Sequence, residues 1–274
     1  MLFSLLMSVY YKEEPEYLDE CLTSILNQTV LPNEIVIVKD GPLTQDLEDV
    51  LEKFSLMNLQ LYKVIELEEN VGLGKALAIG VENCSYDLIA RMDSDDVARE
   101  DRFEKQVKFF KSDIELDLLG SHIIEFEGHV SNKLAKRKVP LSSDEINKYA
   151  KKRNPFNHVT VMYKKEAVLK AGNYRKVSGM GYEDYDLWIR MLMLESKCSN
   201  TDDSLVFVRV GKDMYQRRGN KERLITALHF RKNMYRSGFC SLSDYLFASS
   251  VNIFVAFIPN ILREFIYKKM LRTN

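Results

Sequence analysis

The sequence predicts an α/β fold in which a mainly parallel sheet is flanked by helices, with a basic, amphipathic helical extension at the C-terminus. Short apolar runs alternate with helical patterns through the first third of the chain, and polar or acidic residues follow several of these runs. After about residue 210 the pattern changes to a basic stretch and a long apolar run. A chain of 274 residues is long enough for one large domain plus an appendage. We expect the domain over residues 1–210 and the extension over residues 211–274.

Each element of the first third follows from its apolar spacing. Residues 3–9 form an apolar run that no basic region precedes, so they fit a buried strand better than a signal peptide. Residues 35–38 are β-branched throughout, as expected for a strand covered on both faces. The alternation is completed by helical stripes at residues 18–26 and 47–54, strands at 59–65 and 88–90, and a helix at 72–81. Strands that alternate with helices imply crossover connections and parallel pairing.

Polar side chains stand where three of these strands end. Tyr10 follows the first strand, Asp40 follows the second, and Asp93 and Asp95 follow the fourth. In open α/β sheets, ligands bind outside the carboxyl ends of the strands. Mg²⁺ and Mn²⁺ prefer carboxylate oxygens, often together with substrate phosphates. Asp93 and Asp95 point the same way at a strand end and are predicted to share a metal and diphosphate site, with a merely solvated acidic loop as the alternative.

Basic residues at three positions are candidates for binding an anion. The segment from Asn70 to Lys75 is rich in glycine and precedes a helix, whose N-terminus can accept anionic groups. Lys75 either reaches a phosphate or stays an exposed helical lysine. Arg91 precedes the acidic residues and is predicted to be functional or ion-paired. Arg217 and Arg218 offer two guanidinium groups suited to a diphosphate, either on a loop that closes over the ligand or on a simple basic surface.

A second pair of carboxylates opens a later helical pattern. Glu183 and Asp184 are neighbours on that helix, so their side chains point in different directions and at most one is expected to act as a general base. The alternative is helix capping and complementarity to the helix dipole. Trp188, on the apolar face of the same helix, is predicted to be a core residue. His158 precedes another apolar run and is either structural or part of a ligand site.

Five stretches of sequence carry a family resemblance. In chain order they are Ser8-Val9-Tyr10, Val38-Lys39-Asp40-Gly41, Asn70-Val71-Gly72-Leu73, Arg91-Met92-Asp93-Ser94-Asp95-Asp96 and Glu183-Asp184-Tyr185-Asp186-Leu187-Trp188. Together they resemble family 2 glycosyltransferases with the GT-A fold, in particular the bacterial enzymes that build lipopolysaccharide O-antigen and capsule. The resemblance spans roughly residues 3–220.

The resemblance implies an inverting transfer from a UDP-sugar, with Mn²⁺ or Mg²⁺ as cofactor and a β linkage in the product. Asp93 and Asp95 match the Asp-x-Asp motif that binds ribose and the metal-bridged diphosphate, and Asp40 matches the carboxylate that recognises uracil. The base role falls on Asp184, with Glu183 shaping the acceptor site and His158 on the acceptor side. The full set of implied donor-binding residues is Ser8, Tyr10, Asp40, Lys75, Arg91, Asp93, Ser94, Asp95, Arg217 and Arg218. The implied acceptor is an oligosaccharide linked to undecaprenyl diphosphate.

Charge is distributed unevenly along the chain. Residues 209–274 contain 13 Lys and Arg against 4 Asp and Glu, whereas the remainder contains 26 against 36. The apolar run over residues 245–258 is shorter than the roughly 20 residues of a transmembrane helix and predicts an anchor lying in the membrane plane. We therefore expect a cytoplasmic protein that is peripheral at the inner face of the bacterial inner membrane. An acidic main domain and a tail interleaved with aliphatic runs argue against nucleic-acid binding.

Two other functions remain open from the sequence. A sugar-nucleotidyltransferase is expected to have a glycine-rich phosphate loop after the first strand, where this chain has Tyr10-Tyr11-Lys12-Glu13. A non-catalytic module that binds a nucleotide-sugar or a glycan would not need intact Asp93, Asp95 and Asp184. The donor sugar, the acceptor sugar and the oligomeric state have no signature in the sequence. Residues 131–153, which are polar and rich in lysine, are expected to form a surface excursion.

Overall fold

The computed structural model describes residues 1–177, 181–211 and 221–258. Its strands are β1 (Phe3–Val9), β2 (Glu34–Lys39), β3 (Tyr62–Glu66), β4 (Leu88–Arg91), β5 (Val97–Ala98), β6 (Leu118–Phe126), β7 (Lys133–Arg137), β8 (Met162–Lys164) and β9 (Cys198–Arg209). Its helices are α1 (Pro15–Leu26), α2 (Gln45–Met57), α3 (Leu73–Asn83), α4 (Arg102–Ser112), α5 (Ser143–Ala150), α6 (Lys165–Lys170), α7 (Glu183–Met193), α8 (Lys221–Arg236) and α9 (Leu242–Phe257). Arg217, Arg218 and residues 259–274 of the expected extension lie outside the described residues.

The strands of the described ranges form one sheet in the order β3-β2-β1-β4-β8-β6-β9-β5, with β7 paired to β6. β1 pairs in parallel with β2 and β4, and β2 pairs in parallel with β3. The predicted α/β fold is therefore confirmed, although the expected mainly parallel pairing holds only for this first half of the sheet. β8 runs antiparallel to both β4 and β6, so the second half of the sheet is mixed. This arrangement brings the carboxyl ends of β1, β2 and β4 to one edge.

Two apolar layers enclose the parallel half of the sheet. Leu5 and Met7 of β1 face a core shared with α1, α2 and α4, whereas Leu6 faces a core shared with α3 and α7. Burial on both faces explains why these strands contain so few polar residues. α3 lies very close to the sheet, because a Cβ atom at Gly80 would stand 2.3 Å from Cδ1 of Leu6. This packing fixes the start of α3 beside the carboxyl ends of β1 and β2.

Two predictions about local structure need correction. The third strand begins at Tyr62 rather than at residue 59, because a turn in which Leu61 N donates to Asn58 O (3.0 Å) precedes it. Residues 131–153 are not only a surface excursion, since they contain β7 and α5. α5 begins with a capping box formed by Ser142 and Glu145 and buries Ile146 against the second core. Polar composition concealed this short amphipathic helix.

The described part of the extension consists of α8 and α9, and α8 is docked on the domain. Phe230 and Met234 of α8 are buried against Tyr185 and Ile189 of α7. α9 exposes a broad set of apolar side chains, namely Leu242, Leu246, Phe247, Val251, Ile253, Phe254 and Phe257. Among the described residues, no helix has the length and apolar character needed to cross a membrane. The division into a domain at residues 1–210 and an extension stays a prediction.

Candidate active site

Three carboxylates converge directly after β4. Asp93, Asp95 and Asp96 each offer an oxygen within 4.8 Å of the others. Burial, followed by the charge of Asp93, raises the pKa of Asp95 to about 7. Carboxylates that repel one another in this way are stabilised by a bound divalent cation, because each is then attracted to the positive ion. The three side chains that could coordinate an ion are all carboxylates, so the cluster fits a hard cation such as Mn²⁺ or Mg²⁺.

Residues from distant parts of the chain hold the acidic loop in place. Ser94 Oγ donates to Glu13 Oε2 (2.6 Å), and Arg209 Nε donates to the carbonyl oxygen of Asp95 (3.0 Å). The backbone N of Arg209 also donates to Asp96 Oδ1 (2.8 Å). Sequence reasoning missed both Glu13 and Arg209. Only their positions at strand ends could have indicated a role in the site. Glu13 lies just beyond the end of β1, and Arg209 is the last residue of β9.

Arg91 is a fully buried cation that interacts with the acidic loop and with Asp184 of α7. Its Nη2 pairs with Asp93, which agrees with the prediction that it is functional or ion-paired. Burial disfavours the charge of Arg91, but the carboxylates of Asp93 and also of Asp184 help to hold its pKa above the usual value. Its Nε and Nη1 have no hydrogen-bond partner among the described residues. Buried donors are normally satisfied, so these two groups are available to a ligand or to water.

Asp184 and Glu183 point in different directions, as expected for neighbours on a helix. Asp184 is buried in the first turn of α7 and accepts a hydrogen bond from Asn154 Nδ2 (2.7 Å). Burial, and then the charge of Glu183, raises the pKa of Asp184 to about 6. Glu183 Oε2 instead accepts from the backbone N of Gly181 (3.0 Å). Asp184 thus has the pKa near neutrality that suits a general base.

His158 belongs to an aromatic cluster beside these carboxylates. Its Nε2 lies 3.0 Å from Tyr174 Oη, and its ring centroid lies 6.0 Å from that of Trp188. Burial, and then the nearby Arg91, holds the pKa of His158 well below its usual value, so the imidazole is neutral. Trp188 is fully buried, which confirms that it is a core residue. The structure therefore gives His158 a packing role, while its predicted place on the acceptor side stays a prediction.

Asp40 supports the loop that leads into α3. Its carboxylate accepts from Val71 N (2.7 Å) and Gly72 N (3.1 Å), and Asn70 Nδ2 donates to its carbonyl oxygen (3.1 Å). Gly41 has a φ of +86°, and a Cβ atom there would stand 2.7 Å from Asn70 N. An ionised carboxylate has about four acceptor positions, so these two bonds leave Asp40 capacity for a ligand donor. Its recognition of uracil stays a prediction.

The other predicted residues that the structure describes are Ser8, Tyr10 and Lys75, which lie at or near the same edge of the sheet. Ser8 is paired with Val38 in the register of β1 and β2 and is partly buried. Tyr10, which follows β1, has 40% of its surface exposed. Lys75 is exposed in the first turn of α3. Asp40 N donates to Val9 O (2.8 Å), which brings the ends of β1 and β2 together. The structure thus places Ser8, Tyr10 and Asp40 near one another.

Comparisons with known proteins agree with this architecture. The family model "Glycosyl transferase family 2" matches residues 4–177. The amylovoran biosynthesis glycosyltransferase AmsE of Erwinia amylovora is 42% identical over 217 residues, which are 79% of each chain. The Escherichia coli UDP-Gal:alpha-D-GlcNAc-diphosphoundecaprenol beta-1,3-galactosyltransferase is 37% identical over 271 residues, or 98% of this chain and 96% of that protein.

Solved structures support the fold. The crystal structure of S. aureus TarS 1–349 in complex with UDP-GlcNAc superposes with a TM-score of 0.64 at 17% identity, covering 98% of this chain and 72% of that one. The sheet order, the acidic loop after β4 and the family match all lead to the same conclusion. The chain belongs to glycosyl transferase family 2 and has the GT-A fold.

Proposed function

We propose that this protein is a metal-dependent, inverting glycosyltransferase that moves a hexose or N-acetylhexosamine from a UDP-sugar to a glycan linked to undecaprenyl diphosphate. One observation carries the proposal: buried Arg91 lies within electrostatic reach of both Asp93 and Asp184. A metal-type acidic cluster and a candidate base are therefore both close enough to one cation to interact with its charge. The 37% identity to the E. coli galactosyltransferase over nearly both chains makes UDP-galactose and α-GlcNAc diphosphate-lipid the first pair to test.

The proposed reaction is a single displacement. An acceptor hydroxyl oxygen attacks the anomeric carbon from the face opposite the nucleotide, and the bond between that carbon and the β-phosphate oxygen breaks. The hydroxyl proton moves to the Asp184 carboxylate, and the electron pair of the broken bond leaves with UDP. One displacement inverts the configuration, so an α-linked donor gives a β-linked product.

The residues around the donor divide the remaining tasks. Asp40 holds residues 70–72, and thereby the N-terminus of α3, at the end of β2. Asp93 and Asp95 would hold a divalent cation, which stabilises charge on the departing diphosphate when bound. Arg91 keeps Asp93 oriented through their ion pair. Arg217 and Arg218 would add positive charge near the donor, because two adjacent guanidinium groups suit a diphosphate.

A donor and acceptor panel tests the proposed function. We expect the purified protein to release UDP from UDP-galactose, or from one other UDP-hexose or UDP-N-acetylhexosamine, only when a synthetic α-GlcNAc diphosphate-lipid and Mn²⁺ are present. NMR of the product should show a β linkage. Release of pyrophosphate from UTP and a sugar phosphate would instead identify a sugar-nucleotidyltransferase. Binding of UDP-sugars without turnover on any acceptor would identify a binding module.

We also propose that the extension rests on the cytoplasmic face of the membrane through α9. Two of its exposed apolar side chains, Leu246 and Phe254, have 55% and 58% of their surface accessible. Residues 209–274 carry an excess of basic residues, which complements anionic lipid headgroups. Apolar burial and electrostatic attraction together are what hold an amphipathic helix in the interface.

The membrane proposal is tested by cosedimentation with phosphatidylglycerol vesicles. We expect the double variant Leu246→Gln/Phe254→Gln to bind at least about tenfold more weakly, because each apolar side chain contributes roughly 1.5–3 kcal/mol when buried. The matched control is Leu56→Gln/Met57→Gln, which changes two apolar residues at the end of α2 that are at least as exposed. Equal losses in both variants, or no loss in the first, would contradict a specific role for α9.

A further inference from the structure

A cavity of about 280 Å³ opens beside Asp184 and is lined mainly by α7, α8, α9 and the segment before β8. The acidic cluster after β4 does not line it. Among the described residues, the charged ones in its wall are Arg137, Arg153, Asp184, Arg223 and Arg231. Four arginines thus accompany one carboxylate in the described part of the wall, which keeps a positive charge even when Asp184 is ionised. Such a wall is suited to an anionic ligand.

Two buried N–H donors in the wall have no partner in the part of the chain that the structure describes. Arg231 has only 6% of its surface exposed and is fixed by bonds from Nη2 to Lys152 O (2.7 Å) and from Nη1 to Tyr185 Oη (3.1 Å). Its Nε has no hydrogen-bond partner among residues 1–177, 181–211 and 221–258, and neither has Nδ2 of Asn252 on α9. Because buried donors are seldom left unsatisfied, these two N–H groups indicate a ligand with acceptor oxygens.

The position of the cavity indicates which anion it takes. The donor diphosphate belongs with Asp93 and Asp95, which lie outside this wall. Asp184 lies inside it, so a ligand in the cavity brings its neighbouring hydroxyl groups to the candidate base. Val255 and Ala256 of α9 line the cavity, and the same helix exposes apolar side chains to solvent. The candidate base, the arginines and the apolar surface of α9 thus follow one another. A ligand in which a sugar, an anionic group and a lipid are joined in that order matches this arrangement.

We propose that this arginine cavity binds the diphosphate of the lipid-linked acceptor and so places the acceptor sugar at Asp184. The assignment rests on the proposed function for the nature of the acceptor. Arginine pairs with phosphate oxygens through two parallel hydrogen bonds, and several arginines can surround one diphosphate. The cavity then sets specificity for a glycan carried on a diphosphate over the same glycan on a neutral carrier.

Direct binding tests the cavity without turnover. Isothermal titration with farnesyl diphosphate, in EDTA to keep the donor site free of metal, should show saturable binding to the wild-type protein and none for farnesol. Arg153→Gln and Arg223→Gln should each weaken that binding by about tenfold or more. Arg236→Gln, on the exposed end of α8 and away from the cavity wall, is the matched control and should bind like the wild type. Equal melting temperatures would confirm that all three variants fold.

Kinetics supply the second measurement. With a diphosphate-linked acceptor, the two cavity variants should raise the KM for the acceptor by about tenfold and leave the KM for the UDP-sugar unchanged. No farnesyl diphosphate binding to the wild type, or unchanged binding in both variants, would overturn the assignment. Unchanged acceptor KM values in an active enzyme would overturn it while leaving the proposed function intact. If both variants lose farnesyl diphosphate binding but the wild-type protein transfers no sugar, the anion site is supported and the proposed function is rejected.

Discussion

Asp184→Asn is expected to lower kcat by about 10²–10⁴-fold and to leave the KM for the UDP-sugar unchanged, because an amide cannot take the proton of the acceptor hydroxyl. The substitution keeps the shape of the side chain, and its amide oxygen can still accept the bond from Asn154 Nδ2. Steady-state release of UDP, with and without acceptor, measures the effect. If the variant binds UDP-sugar normally but shows this loss of kcat, the loss reflects the missing base and not a damaged fold.

Glu183→Gln is the matched control for this prediction. Glu183 accepts a hydrogen bond from Gly181 N, and a glutamine oxygen can accept the same bond. We therefore expect less than about a tenfold loss of kcat, since no proton transfer is assigned to this residue. If Glu183→Gln loses more activity than Asp184→Asn, the base is Glu183 and the assignment to Asp184 is wrong.

The pH dependence of transfer gives an independent check on Asp184. A base must be deprotonated to act, and burial raises the pKa of Asp184 to about 6. We expect kcat/KM to fall as the pH drops below about 6, and the residual activity of Asp184→Asn to lack this step. When folding raises the pKa of a carboxyl group, ionisation of that group lowers the stability of the folded protein as the pH rises above the group's pKa in the unfolded chain. Asp184→Asn should therefore melt at a higher temperature than the wild type at pH 8.

Much of the parallel half of the fold could be predicted because its signals are local. β-Branched runs such as residues 35–38 are buried on both faces, and helical spacing marks the buried face of α1. The same logic placed Asp93 and Asp95 at a strand end, and Trp188 in the core. Each of these signals is contained within one element, so a single sequence is sufficient to reveal it.

The supporting partners could not be predicted because they come from distant parts of the chain. Ser94 bonds to Glu13, the Asp95 carbonyl accepts from Arg209, and Asp184 accepts from Asn154. No short-range pattern links such pairs, and only the sheet order and the packing of α7 bring them together. The arginine cavity has the same origin, since its wall combines residues from several elements.

Removal of the metal is expected to abolish transfer, and Mn²⁺ or Mg²⁺ should restore it. Asp93→Asn and Asp95→Asn should each lower kcat by about 10²–10³-fold, a range typical for losing one group that stabilises developing charge. Asp202→Asn is the matched control, because Asp202 is an exposed carboxylate that contacts His122 and is not one of the clustered carboxylates. UDP release at saturating donor, after EDTA treatment and readdition of metal, measures these effects.

Thermal melting separates loss of the metal site from loss of catalysis. Three carboxylates within 4.8 Å repel one another, so bound Mn²⁺ should raise the Tm of the wild-type protein. Asp95→Asn removes one of these charges, so it should raise the Tm of the metal-free protein and lose most of the increase caused by Mn²⁺. Asp202→Asn, which leaves the cluster intact, should keep that increase. An unchanged Mn²⁺ effect in both Asp93→Asn and Asp95→Asn would mean that the ion binds elsewhere, because a hard cation gains most of its affinity from such carboxylate ligands.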